Sequence, residues 1–179
     1  MIDKKQLMKV MKRLLIFLLL SVAGLQTAWS YYQYKEAFTI HPNGRAVKCY
    51  MRGADGEYKD VLYKIYPNKE ESNVGRIVHY VSCNHDKFLG IIVNDDIVYV
   101  KKGSIAVNTR NYSGEILNLY SEPDTTSEIV FQTDKVQTLP IYDINGHWLY
   151  VKLKDKNGRV VFGWLEPDMQ CGSPFTTCP

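Results

Sequence analysis

The sequence has few of the features that mark an enzyme. No glycine-rich phosphate loop, no pair of catalytic carboxylates and no Ser-His-Asp arrangement is recognisable, and there are only 4 histidines. His41 precedes Pro42-Asn43-Gly44, a combination typical of a turn, so we expect its side chain to face solvent. These absences predict a protein with no catalytic residues, no cofactor and no metal.

An excess of charge of one sign is also missing. The chain has 22 Lys and Arg residues against 19 Asp and Glu residues, a formal net charge of +3. Five of the basic residues and one acidic residue lie within residues 1–30, so the remainder has 17 basic and 18 acidic residues, or −1. Nucleic-acid binding needs clustered positive charge, so no nucleic-acid partner is expected.

Residues 1–30 have the pattern of a secretory signal peptide. A basic stretch precedes the apolar run Leu14–Leu20, and Ala28-Trp29-Ser30 places small residues at the positions needed for cleavage. A membrane anchor is the alternative, but the run is short for a hydrocarbon core of about 30 Å. No cysteine lies near it, so a lipoprotein is not expected. We predict a periplasmic or secreted protein with no stable membrane insertion after cleavage.

Four cysteines follow the predicted signal peptide, and an even number in an oxidising compartment favours disulfides. Cys171 and Cys178 enclose a turn-prone hexapeptide, which predicts a local disulfide between them. Four cysteines allow three connectivities, and with a local Cys171–Cys178 bridge the expected second pair is Cys49 with Cys83.

Two chemical alternatives use the same cysteines. A zinc site could combine Cys49 and Cys83 with His79 and His85, but the spacing from Cys83 to His85 is shorter than in the usual motifs. Cys83-Asn84-His85-Asp86 is the one local candidate for a nucleophilic cysteine, yet no helical pattern follows it. We therefore prefer the structural disulfide.

Residues 114–167 break into short β-prone runs without a helical period. The runs are Glu115–Tyr120, Ile129–Phe131, Thr138–Tyr142, Trp148–Leu153 and Val160–Leu165. Asn145-Gly146 and the segment 155–158 have the composition of tight turns, and Pro140 favours an edge strand or a bulge. Five short strands in about fifty residues predict an all-β fold, a small barrel or a sandwich.

Three short sequence motifs in this region resemble those of the bacterial SH3 domain family. They are Leu117, Asn118, Ser121 and Pro123 at the opening, Gly146, Trp148 and Val151 in the middle strand, and Gly163 and Trp164 in the last. Tyr120 stands where that family usually has arginine. The resemblance implies an SH3-like barrel over about 114–167, whose role is binding rather than catalysis.

The preceding region predicts a second, degenerate copy of this barrel in tandem at about 58–107. Leu62–Asn68 is similar to the opening phrase, with an offset of about 54 residues. The alternative is one mixed β region, in which Ala46–Met51 and Glu57–Tyr66 form a hairpin. The expected division is a signal peptide at 1–30, an N-terminal β region at 31–108, the SH3-like domain at 114–167 and a disulfide-bonded tail at 168–179.

Aromatic residues supply the candidate ligand site. The chain has 13 tyrosines, and tyrosine combines apolar area with a hydroxyl group, which suits recognition surfaces. In SH3-like barrels such residues form a groove for extended peptides. The candidates are Tyr120, Tyr142, His147, Trp148 and Trp164. The alternative is that the two tryptophans belong to the core of the barrel.

Two functions fit these features. The first is a binding module that contacts peptidoglycan peptides or an envelope protein, as the family resemblance implies. The second is a periplasmic inhibitor or immunity-type protein that blocks a hydrolase or a toxin, which fits a small module with disulfides and no catalytic domain beside it.

We predict that the exported protein begins near Tyr31, because the small residues of the cleavage site end at Ser30. N-terminal sequencing of the protein recovered from the periplasm or the medium checks this. An exported form that retains Met1 or Met11 would contradict it.

Overall fold

Strands account for nearly all the regular structure of the residues that the structure describes. The computed structural model describes residues 35–68, 75–81, 87–174 and 178, so the predicted signal peptide lies outside the described residues. The strands there are β1 (Lys35–Thr39), β2 (Val47–Arg52), β3 (Tyr58–Ile65), β4 (Ile77–Val81), β5 (Phe88–Val93), β6 (Asp96–Lys101), β7 (Ile105–Thr109), β8 (Leu117–Tyr120), β9 (Ile129–Thr133), β10 (Thr138–Asn145), β11 (Trp148–Lys154), β12 (Val160–Leu165) and β13 (Gln170–Cys171). The predicted all-β fold is confirmed.

Helical structure in the described ranges is confined to two three-residue 3-10 turns, Pro42–Gly44 and Pro167–Met169. Neither these nor any other described segment forms a helix with the length and apolarity to cross a membrane.

Strand β11 has the alternation that its sequence predicts. Its inward face consists of Leu149, Val151 and Leu153, which are buried, and its outward face of Trp148, Tyr150 and Lys152, which are partly exposed. Period-two alternation puts successive side chains on opposite faces of a strand. The same leucines and valines therefore form the core while the aromatic residues remain outside.

The turn between β10 and β11 differs from the sequence prediction by one residue. Asn145 still pairs with Trp148, so the loop is Gly146-His147, with Gly146 at φ +57°.

Pro140 lies next to a bulge, one of the two places predicted for it, and pairs with Ala106 of β7. The start of β10 pairs with β7 and its end with β11, and the register shifts just after Pro140, between Ile141 and Asp143. Pro140 thus sits beside the bulge where β10 changes partners.

All pairings between the described strands are antiparallel, and twelve of these strands follow one path: β3-β2-β6-β5-β4-β1-β7-β10-β11-β12-β8-β9. Strand β7 joins its two parts. One of its edges pairs with β1 at Ile105 and Ala106 and with β13 at Asn108 and Thr109, and the other edge pairs with β10.

The same order of pairing occurs twice along the chain. The first half runs β3-β2-β6-β5-β4-β1-β7, and the second runs β9-β8-β12-β11-β10-β7-β13. Each half has seven strands, and β7 is the last strand of the first half and the first strand of the second. The predicted hairpin of Ala46–Met51 with Glu57–Tyr66 is present as β2 and β3, and it is the counterpart of β8 and β9.

A threonine occupies the same position in both halves. The Thr39 amide donates to the Arg76 carbonyl at 2.9 Å, and its Oγ1 accepts from the Arg76 amide at 2.9 Å. Thr109 makes the same two bonds with Gln137, also at 2.9 Å each. Thr39 and Thr109 are both fully buried. Each threonine therefore fixes the segment that leads into β4 or β10 with two hydrogen bonds.

His41 is buried, so the prediction that it faces solvent is wrong. Its side chain is only 4% exposed. Nδ1 lies 3.0 Å from the Arg45 carbonyl, to which it donates, and Nε2 lies 2.7 Å from Thr39 Oγ1. These bonds compensate the loss of water. The turn itself is present, since the Gly44 amide donates to the His41 carbonyl at 3.0 Å.

The strand pairing and the two threonines give the repeat an offset of 70 residues, which differs from the predicted one. Val47, Cys49 and Tyr50 of β2 correspond to Leu117, Leu119 and Tyr120 of β8, each 70 positions later. The predicted offset of about 54 residues aligned Leu62–Asn68 with the opening phrase instead. By strand pairing, β2 rather than Leu62–Asn68 takes the place of β8.

The described cysteines differ in whether they form a disulfide. Cys171 and Cys178 form a disulfide, as predicted. Cys49 is fully buried at the core position that Leu119 occupies in the second half, and it forms no disulfide with another described cysteine. Burial raises the pKa of this thiol to about 11. Its predicted partner, Cys83, lies outside the described residues, so the pairing stays a prediction that peptide mapping without reduction can decide.

We predict that Thr39→Val lowers the free energy of unfolding more than Thr109→Val does. Loss of Oγ1 at Thr109 leaves one amide without its acceptor, at a cost of about 1 kcal/mol. The same change at Thr39 also removes a partner of the buried His41 ring, for a total of about 2–3 kcal/mol. Urea denaturation measures both. Thr133→Val, which removes only a surface turn bond to the Lys135 amide, is the control. Equal losses at Thr39 and Thr109 would contradict the prediction.

Candidate functional site

Six aromatic side chains lie on the outward side of adjacent strands in the second half. They are Tyr120, Tyr142, Trp148, Tyr150, Phe162 and Trp164, and we call them the C-terminal aromatic face. Strands β11, β12 and β8 are neighbours in the sheet, and β10 flanks β11. Three of the six stand side by side, because Trp164 pairs in register with Tyr150 on one side and with Tyr120 on the other.

Ring contacts join the six into two groups, one of Tyr142, Phe162, Tyr150 and Trp164 and one of Tyr120 and Trp148, and the register pair of Trp164 with Tyr120 sets the two groups side by side. Tyr150 contacts Trp164 with centroids 5.2 Å apart and stacks on Phe162 at 5.8 Å. Phe162 also meets the edge of Tyr142 at 5.2 Å. Such pairs add about 0.5–1.5 kcal/mol each beyond their buried area. The face is therefore a preformed arrangement rather than a set of independent side chains.

Exposure divides the face into a base and a rim. Tyr120 is buried, at 6% exposed, and meets Trp148 edge to face at 5.7 Å. Trp148, Tyr150 and Trp164 are half-buried, whereas Phe162 is exposed. Both tryptophans therefore have a ring surface outside the core. Tyr120 supports the face from below.

One cation belongs to the face. Lys152 Nζ lies 5.7 Å from the centroid of Tyr142 and 5.8 Å from that of Phe162, within the range of a cation–π interaction. Lys152 pairs in register with Phe162, so the strands themselves position the charge. The face thus offers apolar rings and one positive charge at its Tyr142 end.

Position 163, just before Trp164, has no room for a side chain. A Cβ atom there would lie 2.8 Å from both Leu119 Cβ and Val130 Cγ2, closer than side chains tolerate. The Gly163 backbone therefore packs directly on β8 and β9. This close contact helps to hold Trp164 opposite Tyr120.

The structure brings together four of the five predicted site residues and leaves one apart. Tyr120, Tyr142, Trp148 and Trp164 belong to the C-terminal aromatic face. His147 is exposed on the loop before β11 and takes part in none of the aromatic contacts found among the described residues, although its carbonyl accepts from Gln170 Nε2 at 2.8 Å. Its role in binding stays a prediction.

Sequence reasoning missed Tyr150 and Phe162. Both were detectable, because Tyr150 shares the outward side of β11 with Trp148, and Phe162 precedes Trp164 by two positions on the next strand. Extending the alternation from one tryptophan to its strand neighbours would have found them.

The C-terminal aromatic face presents aromatic and polar groups and one charge. Its side chains offer ring faces, phenol hydroxyls, an indole N–H on each tryptophan and one ammonium group. Within the part of the chain that is described, no group of three or more His, Cys, Asp or Glu side chains is placed to hold a metal ion. The predicted cysteine candidate at 83–86, with His85 of the alternative zinc site, lies outside the described residues.

Comparison with known proteins gives only distant likenesses. No protein-family model matches the chain, and no curated protein matches it. Among solved structures, NlpC1 from Trichomonas vaginalis is 17% identical over 79% of this chain and 46% of its own, with a TM-score of 0.31. NlpC2 from the same organism is 16% identical over 77% and 48%, with a TM-score of 0.29. This chain spans about half the length of either protein, and likenesses this weak assign neither a fold nor an activity.

Proposed function

We propose that this protein is an exported, non-catalytic binding module of the bacterial SH3 type, and that the C-terminal aromatic face binds extended peptides of the cell wall. The motifs of the family resemblance support the SH3-type assignment. Leu117 to Tyr120, Trp148 and Gly163-Trp164 are far apart in sequence but lie on the neighbouring strands β8, β11 and β12. Residues that form one surface can serve one ligand.

The continuity of the aromatic face is the observation that carries the proposal. Tyrosine and tryptophan provide large contact area with few rotatable bonds, and they are enriched among residues that dominate binding energy. Rings held by each other lose little conformational freedom on binding. An extended peptide could lay its side chains between Trp148, Tyr150 and Trp164 while Lys152 attracts an acidic group.

The proposed location follows from the amino-terminal sequence and the cysteines. The signal-peptide pattern predicts export, and the Cys171–Cys178 disulfide fits an oxidising compartment. The same strand pairing in both halves supports a tandem of two SH3-like barrels that share β7. In this proposal each half is one binding unit.

We predict that Tyr142→Ala combined with Phe162→Ala weakens binding to purified sacculi by about tenfold or more, as expected when residues that dominate binding are lost. The variant also loses the ring pairs Tyr142–Phe162 and Tyr150–Phe162, so the free energy of unfolding should fall by about 1–3 kcal/mol while the protein stays folded. Co-sedimentation with sacculi, together with thermal denaturation, measures the two effects.

Tyr66→Ala is the matched control, because Tyr66 is 60% exposed and lies in the first half. His147→Ala shows whether the adjacent loop belongs to the site. Unchanged sedimentation of the folded double variant would refute the proposed face. Retention on an envelope protein instead of sacculi, lost in the same variant, would assign the face to a protein partner.

A further inference from the structure

The first half carries an aromatic cluster of its own. Tyr50 meets Phe88 edge to face at 5.0 Å, Tyr58 stacks on Phe88 at 4.1 Å, and Tyr58 meets Tyr99 at 5.1 Å. All four rings are partly exposed. We call these four residues the N-terminal aromatic face.

Strand pairing makes this face the counterpart of the C-terminal one. Tyr50 pairs with Tyr99, as Tyr120 pairs with Trp164. Phe88 lies two residues before the partner of Tyr99, which is where Trp148 lies relative to the partner of Trp164. The edge-to-face contact of Tyr50 with Phe88 therefore corresponds to that of Tyr120 with Trp148.

The two faces differ in what surrounds them. A cavity of about 470 Å³ adjoins the N-terminal face, and Tyr50 is part of its wall. Its charged lining consists of Arg45, Lys48 and Lys101, with no acidic residue among the lining residues. The C-terminal face has a single cation, Lys152, in contact with its rings.

Three positive charges around one cavity favour an anionic ligand. Arginine binds carboxylates with two parallel hydrogen bonds, and lysine adds a mobile point charge. Arg45 and Lys101 are both exposed, so their side chains can adjust to a ligand without disturbing the core. Gly103 and Ser104 lie in the same wall.

We propose that the first half holds a second ligand site, selective for a peptide that carries a carboxylate. The carboxylate lies in the basic cavity among Arg45, Lys48 and Lys101, and a neighbouring apolar side chain packs on Tyr50 and Phe88. The peptide character of the ligand rests on the function proposed above, whereas the preference for a carboxylate rests on the cavity alone. The protein then has two sites of different charge preference.

Three short peptides test the site and separate the two sources of a carboxylate. They are acetyl-Ala-Leu-Glu-Ala-amide, with a side-chain carboxylate, acetyl-Ala-Leu-Gln-Ala with a free C-terminus, and the neutral acetyl-Ala-Leu-Gln-Ala-amide. Each is titrated into the isotope-labelled exported protein, and backbone amide shifts are followed by NMR. At least one charged peptide should move the amide signals of Lys48, Lys101 and Ser104 and bind about fivefold more tightly than the neutral peptide.

Arg45→Gln and Lys101→Gln should each reduce the affinity for the preferred charged peptide about threefold or more and diminish its advantage over the neutral one. Lys156→Gln, on the turn after β11, makes the same change in net charge and should have no such effect. Equal binding of all three peptides, or an equal loss in Lys156→Gln, would overturn the proposal. Phe162→Ala should leave this binding unchanged, so failure of the C-terminal face and failure of this site give different results.

Discussion

Strand β7 is the constraint on which the two halves of the fold depend. It provides the last edge of the first half and the first strand of the second, and Ile105, Ala106 and Val107 on it are fully buried. Strands β1 and β13 occupy successive parts of one edge, and β10 occupies the other. Neither half can close its set of pairings without β7. We therefore infer that the halves unfold together rather than as independent domains. Thr109, which lies between the expected divisions at 31–108 and 114–167, is a fully buried part of β7.

Sequence reasoning predicted the second half well because its pattern is local. Alternation along β11, the exact bounds of β12 and the Cys171–Cys178 disulfide all follow from short-range rules on periodicity and loop length. The first half was harder, because its repeat is marked by polar contacts. Thr39 and Thr109 are equivalent because each bonds a distant segment, 37 and 28 residues away respectively. A hydropathy pattern does not reveal such hydrogen bonds.

His41 shows the same limit on sequence reasoning at a single residue. Turn residues usually face solvent, so Pro42-Asn43-Gly44 predicted an exposed neighbour. The ring is buried because both of its nitrogens find partners, at Thr39 and Arg45. Its counterpart in the second half is Asn111, which is also buried, at 1% exposed. The turn itself is repeated, since the Gly44 and Gly114 amides donate to the carbonyls of the two residues alike.

The repeated core and the different surfaces follow from where each side chain points. Inward positions of β2 and β8 are buried in the core, which limits them to apolar groups such as Cys49 or Leu119. Outward positions carry no such limit, and changes there usually alter stability by less than about 0.5 kcal/mol. Phe88 can therefore stand where the second half has Trp148, and basic residues can surround one aromatic face and not the other. The same strand order can in this way hold two sites that differ in charge while their supporting β-structure stays the same.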